Sequence, residues 1–191
     1  MVAAALVRAV SKHHLPSRDI ARSCAWASDG RTISRMIELR QIHDLSPNDL
    51  SPLLAASTAE GFRFLSRLAA EWDAGTVRFD GAGERLLGSF DDGQLVAVGG
   101  LTRDPFSVTA GVGRLRRVYV LPSARKRGIG AQLVRALEAA AVGHFSELVL
   151  RTDTPTAARF YEALGYLPLP SGSTATHRRL VATAAVGEAI I

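Results

Sequence analysis

The spacing of apolar and polar residues changes at Met36. Residues 1–35 show no sustained hydrophobic period, and we interpret them as a basic, flexible N-terminal extension. From Met36 the segment MIELRQI alternates apolar and polar positions, which predicts a strand. The folded domain is therefore predicted to span residues 36–191. A functional arm or a targeting sequence stays open for the extension.

Helical spacing follows this strand. Ser46 suits the N-cap of a helix and Pro47 its first turn. Apolar residues then recur at three- and four-residue intervals, among them Phe62, Leu65 and Leu68. This segment predicts one or two helices that end at Gly75.

The remaining pattern predicts strands first and then strands alternating with helices. Two apolar runs within residues 84–103 are joined by Asp92-Gly93, the composition of a tight hairpin turn. RLRRVYV alternates as a strand, and a helix with Ile129, Leu133, Leu137 and Ala140 on one face then ends at Gly143. A strand, a helix and a last strand complete the order β, α, α, β, β, β, α, β, α, β. This order predicts a mixed α/β domain with an antiparallel first half and one βαβ unit.

Composition and charge indicate a single globular domain and argue against a nucleic-acid-binding protein. The chain has 191 residues, 47% of them hydrophobic, which is enough for one domain with a packed core. The formal net charge is +5, but residues 1–35 carry six basic and two acidic residues. Residues 36–191 carry 17 basic and 16 acidic residues, and this near neutrality argues against a nucleic-acid partner.

The cysteine count, the hydropathy and the spacing of the histidines add further expectations. Cys24 is the single cysteine, so an intrachain disulfide is excluded and a cytoplasmic location is expected. No apolar run reaches the ~18 residues of a membrane helix, and the apolar start is interrupted by Arg8. The histidines show no ligand spacing, so we expect no metal site.

One short stretch carries candidate chemistry. Three basic residues, Arg125, Lys126 and Arg127, precede Gly128-Ile129-Gly130 at the start of a predicted helix. A helix N-terminus offers unpaired N–H groups and the positive end of the helix dipole, and glycines allow phosphate to approach the main chain. Guanidinium groups add charged donors for phosphate oxygens. The stretch predicts a diphosphate cradle, with a solvated turn as the alternative.

Two segments resemble the motifs of one family, the GNAT superfamily of N-acetyltransferases. VYVLPSARKRGIGAQLV resembles its acyl-CoA motif V-x-P-x-x-R-x-x-G-x-G, matched at Val120, Pro122, Arg125, Gly128 and Gly130. TPTAARFYEALGY resembles its second motif N-x-x-A-x-x-x-Y-x-x-x-G-[FY], matched at Ala157, Tyr161, Gly165 and Tyr166. Thr154 stands where the family usually has Asn. The resemblance covers about the last four-fifths of the chain.

The resemblance implies a fold and a co-substrate. The fold is a mixed, mostly antiparallel sheet with a splayed central βαβ unit and flanking helices. The co-substrate is acetyl-CoA, whose diphosphate binds the main-chain amides of Arg125, Lys126, Arg127, Gly128, Ile129 and Gly130. The pantetheine arm pairs with the backbone of Val118, Tyr119 and Val120, where one N–H contacts the thioester oxygen, and Thr154 takes the position of the coenzyme-contacting Asn.

The resemblance also implies direct attack of an amine on the thioester, with Tyr161 as the general acid for the leaving thiolate. Many relatives deprotonate the amine with a Glu on or near the strand before the cradle, but this strand has no carboxylate. Asp104 is the candidate base. A turn role for Asp104 before Pro105, and deprotonation by solvent, stay open.

The sequence thus predicts an acetyl-CoA-dependent N-acyltransferase acting on the primary amine of a small molecule or peptide. Acceptor choice is expected to depend on residues 44–75 and 103–114, where Phe62, Phe64 and Trp72 are candidate contacts. Arg116 and Arg117 are expected to point to opposite faces of their strand. A non-catalytic acyl-CoA-binding module is the alternative function, a nucleic-acid binder acting through the extension is a second, and a homodimer is left open.

Overall fold

The computed structural model describes residues 37–45 and 47–182. The predicted extension over residues 1–35 and the predicted N-cap Ser46 lie outside the described residues. The strands are β1 (Ile37–Gln41), β2 (Arg85–Asp91), β3 (Gln94–Arg103), β4 (Val112–Val120), β5 (Glu147–Leu150), β6 (Leu167–Pro168) and β7 (His177–Leu180). The helices are α1 (Pro47–Ala59), α2 (Phe64–Asp73), α3 (Ile129–Ala141) and α4 (Pro155–Ala163).

The strands form one mixed sheet in the order β1-β2-β3-β4-β5-β7-β6. Every neighbouring pair is antiparallel except β4 and β5, which are parallel and connected through α3. The predicted mixed α/β fold with one βαβ unit is confirmed. The two-residue strand β6 was not predicted, because so short a segment carries no alternating pattern.

Asp92 and Gly93 form the predicted hairpin turn between β2 and β3. Both have positive φ, 50° and 80°, and Asp91 pairs with Gln94 across the turn. Two consecutive left-handed residues give a type I′ turn, whose twist matches that of the two strands.

The central strands β4 and β5 separate along their length. Their pairing runs only from Val112 to Leu115 on β4, so the rest of β4, up to Val120, has no partner on the β5 side. On the β3 side the register shifts near Gly99, which lies opposite both Arg117 and Val118. Arg117 has φ 61° at this bulge. A bulge bends and twists its strand, which explains how β4 turns away from β5.

Each face of the sheet is covered by its own apolar cluster. One cluster packs Leu133 and Leu137 of α3, with Tyr161 of α4, against the sheet. The other packs Leu53 of α1 and Leu65 of α2 beneath the opposite face. The predicted apolar face of α3 is confirmed at Ile129, Leu133 and Leu137. Ala140 is only half-buried, and Val134 and Ala141 are buried with the other three.

Candidate functional site

The loop between β4 and α3 has an unusual backbone. Lys126 has φ 62° and Gly128, the N-cap of α3, has φ 79°. A non-glycine residue in the left-handed region costs about 1 kcal/mol or more, so the surrounding structure must impose the conformation of Lys126. A Cβ at Gly128 would meet no atom within 4 Å, which leaves the mouth of the loop open.

This loop presents a row of unpaired backbone donors. Among the described residues, no backbone or side-chain oxygen accepts from the main-chain N–H groups of residues 126–131. The first paired amide of α3 is that of Gln132, which donates to Gly128 O at 3.0 Å. Six consecutive N–H groups without an acceptor, at the positive end of a 13-residue helix, are an arrangement that favours an anion.

The guanidinium groups beside the loop already have carboxylate partners. Arg125 donates through Nη1 and Nη2 to the two oxygens of Glu60, at 2.7 and 2.6 Å, and through Nε to Val120 O at 3.0 Å. Arg127 donates to Asp91 Oδ2 at 2.7 Å. Phosphate binding by these guanidinium groups stays a prediction, because each has a carboxylate partner in the structure, whereas the main-chain N–H groups of the loop have no acceptor.

Glu60 links the end of α1 to the site. Its carboxylate accepts from Tyr119 Oη at 2.7 Å as well as from Arg125, whose guanidinium lies over the Tyr119 ring at 5.4 Å. Hydrogen bonds from Arg125 and Tyr119 hold the pKa of Glu60 below its ordinary value. Burial, and then the Glu60 carboxylate, raise the pKa of Tyr119 to about 12. Sequence reasoning missed Glu60 because its partners lie 59 and 65 residues away.

We expect the stability conferred by Glu60 to depend on pH. A carboxyl group whose folded-state pKa is lowered stabilises the fold above its unfolded pKa, about 4.3, and loses that effect as pH falls through the folded value. Glu60→Gln should therefore lower Tm by about 2–4 °C at pH 7 and by progressively less below pH 4. Thermal melts across pH 3–7 measure this.

The matched control is Glu38→Gln, which removes an exposed carboxylate that pairs with Arg40 on β1. We expect no measurable change in Tm from this variant at pH 7. A Tm deficit of Glu60→Gln that stays constant from pH 3 to pH 7 would show that the charge of Glu60 is not its source.

Two arginines of β4 lie beside one carboxylate at the start of the unpaired segment, the part of β4 after Leu115 that does not pair with β5. Arg117 Nη2 lies 2.6 Å from Glu71 Oε2, and Arg116 Nη2 lies 4.0 Å from the same oxygen. The prediction that these side chains point to opposite faces is wrong, because the bulge at Gly99 interrupts the alternation. Sequence reasoning also missed Glu71, which lies on α2, 46 residues before Arg117.

Asp104 lies at the other end of β4, beside its paired segment. Its buried carboxylate accepts from Arg114 Nε at 2.7 Å and from the backbone N–H of Phe106 at 3.3 Å. The second bond closes a side-chain turn around Pro105. These contacts favour the turn role left open by the sequence, and the assignment of Asp104 as a base stays a prediction.

The side chain of Tyr161 is buried within the core cluster on the α3 face. Its ring makes edge contacts with Phe160 and Tyr166, at centroid distances of 5.0 and 5.6 Å. Val118 and Val120, which lie on β4 beyond its pairing with β5, are half-buried and pack against the same cluster. Burial raises the pKa of Tyr161, so its hydroxyl is protonated at neutral pH.

Thr154 begins α4. Its Oγ1 accepts from the N–H of Ala157 at 3.2 Å, which is an N-cap bond, and Pro155 follows in the first turn. The capping interpretation of Thr154 is confirmed. Its hydroxyl proton can still be donated to another acceptor, so a coenzyme contact stays a prediction.

The aromatic candidates of α2 pack mainly into the protein. Phe64 lies 6.1 Å from the Tyr119 ring and 5.5 Å from that of Phe62. Trp72 is buried, with the guanidinium of Arg78 over its ring. Within the part of the chain that the structure describes, no three potential metal ligands lie together.

Comparison with known proteins gives one family. The sequence model of the acetyltransferase (GNAT) family matches residues 54–166, a segment that includes Glu60, β4, the loop before α3 and Tyr161. No curated protein matches the chain.

Solved structures agree with this assignment. A protein from Exiguobacterium sp. 255-15, assigned as an acetyltransferase, is 29% identical with a TM-score of 0.67, over 76% of this chain and 93% of its own. A GNAT-family acetyltransferase from Staphylococcus aureus Mu50 is 13% identical, with a TM-score of 0.57 over 77% and 100%. Ard1 from Thermoplasma volcanium is 20% identical, with a TM-score of 0.54 over 76% and 98%. The last two show the fold alone.

Proposed function

The chain belongs to the acetyltransferase (GNAT) family, and from this premise we propose that it transfers the acetyl group of acetyl-CoA to a primary amine by direct attack on the thioester. The observation that carries the proposal is the row of six unpaired N–H groups at residues 126–131, next to the free edge of β4. A diphosphate fits the first feature and an extended amide-bearing arm fits the second. Acetyl-CoA contains both and supplies the activated acyl group.

Binding of the coenzyme would use the main chain. The N–H groups of the loop hold the diphosphate, while Val118 and Tyr119 pair with the pantetheine amides in the manner of an added strand. The carbonyl of Val120 already accepts from Arg125, so this residue offers fewer backbone contacts than the other two. Lys126 adds a positive charge to the loop.

Tyr161 would act on the leaving sulfur. A thiol has an ordinary pKa near 8.5, well below the raised pKa of the buried Tyr161. The phenol therefore keeps its proton in the ground state and stabilises the developing thiolate by donating a hydrogen bond. This contact strengthens as negative charge builds up on sulfur, which is the condition for lowering the barrier.

Deprotonation of the amine would rely on solvent. The carboxylates beside β4 are each held by a cation: that of Glu60 by Arg125, that of Glu71 by Arg117 and that of Asp104 by Arg114. The charge of Arg116, whose side chain makes no hydrogen bond among the described residues, would disfavour an ammonium ion and so lower the pKa of a bound amine. A neutral amine then reaches the thioester without a dedicated base.

The test is turnover by the full chain with acetyl-CoA and a panel of primary amines. Free coenzyme A should appear in equal amount with an N-acetylated amine identified by mass spectrometry. A protein that binds acetyl-CoA but releases no coenzyme A above the hydrolysis rate with any amine would be the non-catalytic binding module. The absence of a carboxylate on β4 favours that second candidate.

The acceptor, the oligomeric state and the cellular location of the protein are the remaining parts of the proposal. A small-molecule or peptide amine is proposed as the acceptor, and a homodimer stays a prediction. None of the described helices combines the length and apolar character needed to cross a bilayer. The cytoplasmic location also stays a prediction.

A further inference from the structure

The two arginines at the start of the unpaired segment are short of acceptors. A guanidinium carries five N–H donors. Arg117 uses Nη2 for Glu71, and its buried Nε has no partner. The side chain of Arg116 is about three-quarters buried, lies 4.0 Å from Glu71 Oε2, and makes no hydrogen bond among the described residues. Buried donors without acceptors are costly, and Arg donors are matched best by a second carboxylate.

Nearby charges do not meet this need. The charges of Glu84 and Arg114 also act on Arg116. No Glu84 oxygen lies within 4 Å of its guanidinium, and Arg114, itself a guanidinium, accepts no hydrogen bond. Glu84 accepts from the backbone N–H of Arg103 at 2.8 Å, and Arg114 pairs with Asp104. Among the described residues, Glu71 Oε2 is thus the one carboxylate oxygen within 4.0 Å of the two guanidinium groups.

The backbone shows that this arrangement is built into the fold. The bulge opposite Gly99 brings two successive side chains to the α2 side, and Arg117 takes a left-handed φ of 61° there. Strained backbone of this kind persists where the surrounding structure over-determines it, and it concentrates at functional sites. Arg116 directly follows Leu115, the last β4 residue paired with β5. The backbone of Arg116 and Arg117 therefore lies at the point where the sheet opens, and their guanidinium groups lie against Glu71 of α2.

We propose that the acceptor carries a carboxylate beside its amine, as an α-amino acid does, and that Arg116 binds this carboxylate with the charge of Arg117 behind it. The inference rests on the proposed function and names the class of its acceptor. Arg116, whose side chain keeps about a quarter of its surface exposed, supplies a paired set of donors to the carboxylate oxygens. Arg117, which is buried, adds its positive charge behind Arg116. Anchoring the carboxylate places the adjacent amine at the opening of the sheet.

The experiment compares L-amino acids with their carboxamides at saturating acetyl-CoA. Each pair keeps the side chain and the amine and differs in the charged group. The amide has the less basic amine, so intrinsic reactivity at neutral pH favours the amide. We expect kcat/KM to be at least about tenfold higher for the acid. Equal rates, or a preference for the amide, would overturn the inference and leave the proposed function intact. Failure of every amine would count against the proposed function instead.

A carboxylate on the acyl group is the other source of the same chemistry. A parallel experiment with succinyl-CoA and amines that carry no carboxylate tests this source. A preference for succinyl-CoA over acetyl-CoA in that experiment would move the carboxylate to the acyl donor and overturn the assignment to the acceptor.

Variants connect the preference to the residues. Arg116→Gln should raise KM for the acid about 10- to 100-fold and leave the amide unchanged. Glu71→Gln removes the competing carboxylate and should lower KM for the acid. Arg135→Gln changes the formal charge equally at an exposed position on α3 and should change neither. An equal loss for acid and amide in Arg116→Gln would refute carboxylate binding.

Binding can be measured without turnover. Calorimetric titration of the acid into the protein saturated with free coenzyme A reports affinity where no reaction takes place. Arg116→Gln should weaken this binding by the same factor as its effect on KM. Unchanged affinity in this variant would contradict the proposed contact.

Discussion

Gly128→Glu should abolish the stabilisation of the protein by acetyl-CoA. A ligand at 100 times its Kd stabilises a folded protein by about 2.7 kcal/mol, which for a chain of this size raises Tm by about 5–10 °C. The variant introduces a carboxylate at the N-cap of α3, where the diphosphate is proposed to bind to the free N–H groups. Repulsion between like charges at that position removes the binding energy. Thermal melts with and without acetyl-CoA measure it.

The chain offers a closely matched control at the other end of α3. Gly143 has φ 80°, almost equal to the 79° of Gly128, and a Cβ at either position would meet no atom within 4 Å. Gly143→Glu therefore adds the same charge and the same backbone strain, about 1–2 kcal/mol, but away from the loop. We expect both variants to melt lower without ligand and only Gly143→Glu to keep the shift. A full shift in Gly128→Glu would place the diphosphate elsewhere.

Tyr161→Phe should reduce kcat by about 10²- to 10⁴-fold while leaving the affinity for acetyl-CoA unchanged. The variant keeps the buried ring and its edge contacts with Phe160 and Tyr166, so packing is preserved. It removes only the hydroxyl that is proposed to donate to the leaving sulfur. Single-turnover rates with the best amine, together with the Tm shift by acetyl-CoA, separate chemistry from binding.

Tyr166→Phe is the control for this loss. Tyr166 is also buried, follows the same helix and touches the Tyr161 ring. We expect this variant to change stability and to leave kcat within about threefold of the parent, because its hydroxyl has no proposed part in the reaction. Comparable losses of kcat in the two variants would assign the effect to packing.

The pH profile gives a further criterion for Tyr161. Because burial raises the pKa of this phenol, its proton is retained throughout the neutral and mildly alkaline range. The parent enzyme should therefore show no fall in kcat from loss of this proton between pH 7 and 10. A fall in that range that is absent from Tyr161→Phe would mean that the hydroxyl titrates far lower than its burial implies.

Features determined by neighbouring residues could be predicted from the sequence. Asp92-Gly93 predicted a tight turn because two adjacent residues tolerate positive φ, and both adopt it. Thr154-Pro155 predicted a helix start, and the capping bond is present. The apolar face of α3 followed from its period, apart from a one-residue difference at Ala140 and Ala141. The two motifs likewise identified the family, because each is a short contiguous stretch.

Only the tertiary structure decided which charges meet at the site. Glu60 pairs with Arg125 across 65 residues, and Glu71 pairs with Arg117 across 46. Such pairs depend on how α1 and α2 pack against β4, which no local pattern encodes. The shared direction of Arg116 and Arg117 depends on a register shift against β3, and a period of two cannot reveal a bulge. The sequence by itself thus determined the fold and the position of the glycine-containing loop before α3, whose causes are local. The electrostatic character of the cleft was decided by contacts between distant segments.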